Sequence, residues 1–202
     1  TAYLAAWNYK LNDYSPCLFR TQNGGETWES INSGIPGQEF VRVVREDPDC
    51  AGLLYAGTEK GVYTSIDGGD SWHSLQINLP NTPIHDLVIK NGDLIAATHG
   101  RSFWILDDIT PLRHLKQIRP EEPVYLLKPR PAYRPLSTLG EITPERIGPG
   151  KNYWIAIGTE ATFEDNEAPD GTQTRTFLDA GHNPPDGAII TYNLKQGYSN
   201  KG

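Results

Sequence analysis

Four polar residues near the middle of the chain have side chains suited to acid–base chemistry. His99 and Arg101 flank Gly100, and Asp107 and Asp108 follow a short apolar stretch. A histidine next to a carboxylate-binding arginine is a pairing that general acid–base catalysis uses. A tight turn at Gly100, with Arg101 paired to a neighbouring acid and His99 hydrogen-bonded, explains the same residues without chemistry. We favour that second interpretation.

Two acidic segments could form an acid pair or bind a cation. Glu46 and Asp47 precede Pro48, but Asp-Pro-Asp is typical of a turn. Residues 164–170 (Glu-Asp-Asn-Glu-Ala-Pro-Asp) supply enough oxygen ligands for Ca²⁺, yet they lack the D-x-D-x-D-G spacing of a calcium loop. We therefore predict no metal site and no cofactor, with Ca²⁺ at this loop as the weaker alternative.

Charge and composition argue against further classes of function. The net charge is −7, and the 18 lysine and arginine residues are scattered, so nucleic acid is not an expected partner. The longest apolar run, Ala2–Trp7, is too short to span a membrane. Cys17 and Cys50 match no metal-binding spacing, and the hairpins that carry them are expected on opposite faces, too far apart for a disulfide.

The elements that must position these side chains are predicted from a repeat. Residues 17–28 (CLFRTQNGGETW) align with residues 61–72 (GVYTSIDGGDSW), 44 residues further on. Residues 53–58 correspond to residues 94–98, which makes 102–107 a third, degenerate copy. A period of about 40 to 44 residues with about four short strands is typical of a β-propeller blade. We therefore predict an all-β chain with about three propeller blades, the first of them incomplete because its innermost strand is missing.

The strands within each repeat are predicted from apolar segments between turn residues. They are Ala2–Asn8, Leu18–Thr21 and Thr27–Ile31 in the first repeat, Phe40–Arg45, Leu53–Gly57, Val62–Ser65 and Trp72–Ile77 in the second, and Ile84–Lys90, Asp93–Thr98 and Phe103–Leu106 in the third. A fourth strand of the third repeat is predicted at Val124–Leu127, with Leu112–Leu115 as the alternative, after a short helical turn begun by Thr110 and Pro111.

The two aligned hairpins share a turn motif. Its members are Thr21, Asn23, Gly25 and Trp28 in the first hairpin and Ser65, Asp67, Gly69 and Trp72 in the second. The short polar side chains can hydrogen-bond within the turn, glycine supplies the positive φ, and tryptophan covers the hairpin and packs between sheets. The pattern S-x-D-G-G-x-x-W resembles the Asp-box, or BNR repeat, of sialidases, sortilin-type propellers, xyloglucanases and photosystem assembly factors. In those families the box lies opposite the catalytic pocket, so the resemblance implies a structural role for Asp67.

A closer resemblance covers most of the chain. Residues 45–48 (REDP), 53–58 (LLYAGT), 78–80 (NLP) and 98–108 (THGRSFWILDD) look like the end of the propeller in large secreted bacterial proteins labelled sortilin N-terminal-like, BNR-repeat or glycosyl hydrolase proteins. In that family the propeller is followed by a small Ig-like β-sandwich, similar to that of flagellar hook-capping proteins, and residues 183–194 resemble its opening strand. The resemblance implies an exported protein, extracellular or periplasmic.

The predicted organisation has three parts. Residues 1–127 are predicted to be propeller blades, and 128–151 a proline- and glycine-rich linker. Residues 152–202 are predicted to be an extended segment, with a strand at Tyr153–Ile157, and the beginning of the sandwich.

We predict that the chain is a non-catalytic binding or assembly module. The arginine cluster and the F/Y-R-I-P motif of sialidases are not in the sequence. The alternative is part of a glycoside hydrolase, a sialidase- or xyloglucanase-like propeller whose two carboxylates lie mostly outside this chain. An incomplete first blade and a single sandwich strand would leave edges and apolar faces uncovered. The predicted partner is therefore other polypeptide, either the rest of the same protein or a larger assembly.

Overall fold

The chain is built from small antiparallel sheets in two compact units. A computed structural model describes residues 1–118, 122–132, 150–156, 159–178, 180, 181, 184 and 187–195. One unit is Thr1–Ala132 with Ala188–Gly202, and the other is Tyr133–Gly187. Strands are the main regular structure among the described residues, with one five-residue α-helix, so the predicted all-β class is confirmed at that level. Most of the predicted linker 128–151 lies outside the described residues, and the domain boundaries stay predictions.

Three sheets follow one another along the first unit, and each is an antiparallel meander. The first contains β1 (Ala2–Asn8), β2 (Asp13–Thr21) and β3 (Glu29–Ser30), the second β4 (Val41–Glu46), β5 (Leu54–Thr58), β6 (Val62–Ser65) and β7 (His73–Ser74), and the third β8 (Ile84–Lys90), β9 (Asp93–Thr98) and β10 (Phe103–Leu106). Helix α1 (Thr110–His114) and strand β11 (Val124–Leu126) come next. Proline in the first turn of α1 suits a helix start, because that N–H has no partner within the helix.

The second sheet is covered on both faces, and this explains its sequence. One core cluster joins it to the first sheet and contains Leu18, Ile31, Ile35, Val41, Val44, Leu54, Ala56 and Trp72. The other joins it to the third sheet and contains Val43, Leu53, Tyr55, Val62, Ile84, Leu87, Leu94, Ala96 and Ile109. Every residue of β5 is buried as a result, and its sequence shows no polar alternation. In β9, by contrast, buried and half-buried residues alternate over the first four positions, as expected for a strand covered on one face.

Arginine side chains add polar links between consecutive sheets. Arg20 on β2 donates to the carbonyl of Gly68 (2.9 Å) in the hairpin of the second sheet. Arg45 on β4 donates to the carbonyl of Leu87 (3.1 Å) and pairs with Asp86 (2.7 Å) in the third sheet. The stacking of the three sheets is therefore fixed at its margins as well as through its apolar centre.

The fourth strands are shorter than the sequence pattern predicts. The prediction was Trp72–Ile77, whereas β7 spans only His73–Ser74. The main-chain N–H of Trp72 donates to the carbonyl of Ser33 in the turn after β3 (2.8 Å) and not to β6. The amide of Gln76 donates to the carbonyls of Leu79 (2.9 Å) and Pro80 (3.0 Å), which turns the chain away after β7.

The second unit is a three-stranded meander. Its strands are β12 (Gly150–Ala156), β13 (Thr159–Glu167) and β14 (Gln173–Phe177), in that order in the sheet. The strand predicted at Tyr153–Ile157 corresponds to β12. Phe163 is buried, with the guanidinium of Arg175 4.1 Å from its ring centre.

A separate ribbon in the first unit pairs β11 with β15 (Tyr192–Leu194). The strand predicted at Val124–Leu127 does form, but its assignment to the third sheet was wrong, since β11 pairs with β15 and not with β10. The partners are distant in sequence, so neither local pattern carries a signal of the pairing. The third sheet consequently has three strands among the described residues.

Candidate functional site

The hairpin of the second sheet that carries Ser65 and Asp67 is a closed hydrogen-bonded turn. Ser65 donates to Asp67 (Oγ to Oδ1, 2.6 Å) and accepts the N–H of Gly69 (2.9 Å). Asp67 Oδ1 also accepts the N–H of Ser71 (3.0 Å), and its Oδ2 accepts the Ser71 hydroxyl (2.5 Å). Both carboxylate oxygens of Asp67 are therefore occupied within the turn itself.

These hydrogen bonds determine the acidity of Asp67. Burial alone would raise the pKa of the carboxyl group, because it disfavours the charged form. The hydrogen bonds from Ser65 and Ser71 outweigh that effect and lower the pKa to about 2. Asp67 is thus a charged acceptor at neutral pH and is poorly suited to carry a proton to a substrate.

The hairpin of the first sheet has the same bonding pattern without the charge. Thr21 donates to Asn23 Oδ1 (3.0 Å) and accepts the N–H of Gly25 (2.9 Å). Asn23 Oδ1 accepts the N–H of Thr27 (3.0 Å), and its Nδ2 donates to the Thr27 hydroxyl (2.9 Å). Only the last bond differs in direction, because asparagine has an N–H group where Asp67 has an oxygen.

The tryptophans of the two hairpins have different surroundings. Trp72 is 2% exposed and donates its indole N–H to the carbonyl of Ile31 in the first sheet (2.7 Å). Trp28 is 44% exposed and donates to Gly25 in its own hairpin (3.1 Å). The indole of Trp72 therefore links the second sheet to the end of the first, whereas the indole of Trp28 is bonded within its own hairpin.

The polar group His99, Arg101, Asp107 and Asp108 is divided between the two ends of β10. His99 stacks on His85, with ring centres 5.0 Å apart. The backbone of Arg101 holds the turn, since its N–H donates to the Thr98 hydroxyl (3.1 Å) and its carbonyl accepts the Trp104 indole (2.9 Å).

Asp107 and Asp108 follow the opposite end of β10, next to the turn between β8 and β9. The N–H of Asp108 donates to Asp93 Oδ1 (2.8 Å), which also accepts a hydrogen bond from Arg130 (2.7 Å). Asp108 in turn accepts the N–H of Thr110 (3.1 Å) just before α1. The structure does not bring these aspartates together with His99 and Arg101.

The acidic pair before Pro48 has a structural environment. Asp47 is buried and forms an ion pair with Arg113 of α1 (3.0 Å). Its Oδ1 accepts the N–H of Asp49 (2.9 Å), as expected for a turn. Glu46 accepts the N–H of Gly52 (2.8 Å) across the same hairpin. Asp47 therefore anchors α1 to the second sheet.

A buried carboxylate that no sequence pattern predicts is that of Glu39. Glu39 is 7% exposed and accepts hydrogen bonds from the hydroxyls of Tyr63 (3.1 Å) and Thr58 (3.4 Å), with Lys60 at 3.5 Å. Burial, followed by the bond to Glu39, raises the pKa of Tyr63 to about 12. Glu39 precedes β4 in a loop without a motif, so no local pattern indicates its burial.

Equivalent positions of the second and third sheets carry chemically different pairs of neighbouring side chains. Arg42 forms an ion pair with Glu59 (2.6 Å) in the second sheet. Val41 pairs with Thr58 as Ile84 pairs with Thr98, so Arg42 and Glu59 correspond to the stacked His85 and His99. The repeat thus preserves the geometry of this cross-strand pair but not its chemistry.

An apolar groove lies between the second and third sheets. Its lining comes from Val62, the turn 75–79 after β7, Leu94 and Ala96 on β9, and residues 104–106 of β10. Ile77 at this turn is 73% exposed and has a positive φ of 42°. A β-branched residue in that region is strained, and here it is also exposed to solvent.

The acidic segment 164–170 lies at the end of β13 and in the turn after it. Asp165 forms an ion pair with Arg175 (2.8 Å), and Asp170 accepts the N–H of Thr172 (2.9 Å). Within the described ranges, no group of three or more His, Cys, Asp or Glu side chains is arranged to hold a metal ion. Both cysteines are free thiols.

Comparison of the chain with protein-family models and with curated protein sequences gives no match. The Asp-box resemblance therefore rests on the residues quoted above. In the part of the chain that the structure describes, no helix has the length and apolar character needed to cross a membrane.

Proposed function

We propose that residues 1–127 are consecutive blades of an Asp-box β-propeller, and that the chain is a non-catalytic binding and assembly module of an exported bacterial protein. The observation that carries the proposal is a stack of three repeated sheets with an exposed apolar face at each end. Soluble proteins rarely leave such faces uncovered. Further sheets of the same kind would cover them, as neighbouring blades do in a propeller.

The exposed face of the first sheet is the counterpart of a buried face in the second. Leu4 pairs with Phe19 across β1 and β2, as Ala56 pairs with Tyr63 across β5 and β6. Ala56 is fully buried against the first sheet, whereas Leu4 is 47% exposed. The first sheet thus presents the surface that the second sheet uses for stacking.

The exposed face of the third sheet is a row of apolar side chains across three strands. Val88 pairs with Ile95, and Ile95 pairs with Ile105, so the three side chains lie on one face. Val88 is 48% exposed, Ile105 55% and Phe103 73%. This face is suited to stacking against one more sheet.

The non-catalytic part of the proposal is supported by how the polar groups are used. The side-chain oxygens of Asp67 and Asn23 accept hydrogen bonds from groups of their own turns. His99 and Arg101 lie at the other end of β10 from Asp107 and Asp108. None of these sets presents two carboxylates to a common cleft, as glycoside hydrolysis requires.

The test measures the association of residues 1–202 in solution by light scattering and by binding of a dye that reports apolar surface. We expect association or dye binding, and we expect the double variant Leu4→Glu/Phe103→Glu to reduce it strongly. Leu11→Glu is the matched control, because Leu11 is 81% exposed but lies in the turn between β1 and β2.

A monodisperse monomer that binds no dye and unfolds cooperatively would overturn the assembly proposal. Hydrolysis of aryl glycosides or sialosides by the purified chain would overturn its non-catalytic part.

A further inference from the structure

The side chain of Trp72 is buried against residues of the first sheet and of the turn after β3. Its main-chain N–H and its indole N–H donate to the carbonyls of Ser33 (2.8 Å) and Ile31 (2.7 Å) in the turn after β3. The apolar residues that share its core cluster include Leu18, Ile31, Ile35, Leu54 and Ala56.

The groove beside β10 is built from the equivalent residues one sheet further along. The 44-residue repeat relates Leu18, Ile31 and Ile35 to Val62, Leu75 and Leu79, and the strand register relates Leu54 and Ala56 to Leu94 and Ala96. All five equivalents line the groove. Trp104 is the counterpart of Tyr63, since it pairs with Ala96 as Tyr63 pairs with Ala56. None of the described residues that line the groove is aligned with Trp72.

The edge of β10 beside the groove also has no partner strand among the described residues. In the second sheet, β7 follows Trp72 directly and pairs with β6 through His73 and Ser74. In the third sheet, none of the described strands pairs with the corresponding edge of β10. An open edge next to an apolar pocket is the arrangement that accepts a peptide as an added strand.

The turn at the rim of the groove differs from its counterpart at the position that meets the neighbouring backbone. Ile77 corresponds to Ser33, whose carbonyl accepts the main-chain N–H of Trp72, but Asn78 stands where Gly34 does. A Cβ atom at Gly34 would overlap the carbonyl oxygen of Trp72. An incoming backbone would therefore lie further from this turn than Trp72 lies from its own.

We propose that this groove is a docking site for an extended strand of a partner polypeptide, which inserts a tryptophan side chain and pairs with the free edge of β10. The partner strand would resemble the chain's own β7, with a tryptophan at its start and an apolar residue three positions later. The inference rests on the proposed function only for the assignment of a protein partner. It does not require that the sheets belong to a closed propeller.

The experiment titrates residues 1–202 with a fluorescent peptide of the sequence of residues 70–77, Asp-Ser-Trp-His-Ser-Leu-Gln-Ile. We expect saturable binding below about 1 mM and slower amide exchange in β10. Tryptophan-to-alanine substitution in the peptide, or Ile77→Glu in the chain, should weaken binding at least about tenfold. Asn78→Gly should strengthen binding, because it restores the close approach seen at Gly34.

Ile190→Glu is the matched control for Ile77→Glu, because Ile190 is 62% exposed and lies outside the groove. Its far-ultraviolet circular dichroism and peptide affinity should equal those of the unmodified chain. Absence of saturation, equal binding of the tryptophan-free peptide, or protection of β1 and β2 in place of β10 would each overturn the proposal. A chain that is monomeric in light scattering can still bind the peptide, so this inference and the proposed function fail separately.

Discussion

The aligned hairpins of the first and second sheets have matching turns but tryptophans in opposite environments. Thr21 and Asn23 form the same contacts as Ser65 and Asp67, to within a few tenths of an ångström. Yet Trp28 is 44% exposed and Trp72 only 2%. The difference shows that the turn is specified by its own residues, whereas burial of the tryptophan is specified by the neighbouring sheet.

This separation assigns the two parts of the motif different physical roles. The polar residues satisfy backbone N–H groups of a tight turn, which is a local contribution to stability. The tryptophan couples one sheet to the next through buried apolar area and one hydrogen bond to a carbonyl. The motif therefore contributes both to closing a hairpin and to stacking one sheet on the next.

The two hairpins should differ most in how much stability the protein loses when the tryptophan is replaced by alanine. Trp72→Ala should lower the free energy of unfolding by about 3–5 kcal/mol, because it leaves a cavity in a buried cluster. Trp28→Ala should cost about 1 kcal/mol or less, since half of that side chain is already exposed. Urea unfolding followed by far-ultraviolet circular dichroism measures both changes.

Each of these variants serves as the control for the other, because each loses one tryptophan from the same position of the same motif. Equal losses of stability would contradict the comparison. They would mean that Trp28 is as well covered in solution as Trp72.

A smaller effect is expected at the glycine that admits Trp72. Gly34 has φ +99°, and a Cβ atom there would meet the backbone of Trp72. Gly34→Ala should therefore cost about 2–3 kcal/mol, from both the left-handed backbone and the overlap. Gly24, at φ +74° in the first hairpin, has no atom within 4 Å of such a Cβ, so Gly24→Ala should cost only about 1 kcal/mol.

Hydrogen exchange of β1 and β2 provides a second measurement for this pair of variants. Gly34→Ala should speed exchange at the interface with the second sheet, whereas Gly24→Ala should affect only its own hairpin. If both variants act alike, the close approach at Trp72 does not contribute to stacking.

Much of the strand pattern could be predicted from the sequence because it is local. The predicted bounds Ala2–Asn8, Val62–Ser65, Ile84–Lys90, Asp93–Thr98 and Phe103–Leu106 match the observed strands. Prediction was wrong where a distant partner decides the outcome. The pairing of β11 with β15 depends on residues 66 or more positions apart, such as Leu126 and Tyr192, and no local pattern encodes it.

The same distinction applies to the candidate sites. The turn contacts of Ser65 and Asp67 follow from their spacing, since both residues are next to the backbone groups they bind. Glu39 could not be identified in this way, because its partners Thr58 and Tyr63 come from β5 and β6. Single acidic residues in loops are usually exposed, and only the tertiary structure reveals that this one is buried.

The smallest expected effect concerns the charge that distinguishes Asp67 from Asn23. The pKa of Asp67 falls from the ordinary 3.8 to about 2 on folding, so the folded state binds its proton more weakly than the unfolded state. The stabilisation is therefore fully present above about pH 4 and is lost as the pH falls through about 2. Because the carboxylate is largely exposed to solvent, we expect the contribution to be about 1 kcal/mol, less than the shift alone would imply.

The variants Asp67→Asn and Asn23→Asp exchange this charge between the two hairpins. Asparagine at position 67 keeps an oxygen for the N–H of Ser71 and can donate to its hydroxyl, as Asn23 does to Thr27. Asp67→Asn should thus cost about 1 kcal/mol at pH 7 and close to nothing at pH 2, while Asn23→Asp should add an acid-sensitive contribution of the same sign. Urea midpoints at pH 7, 4 and 2 measure the difference. A loss for Asp67→Asn that is the same at every pH would show that geometry, and not charge, separates the two hairpins.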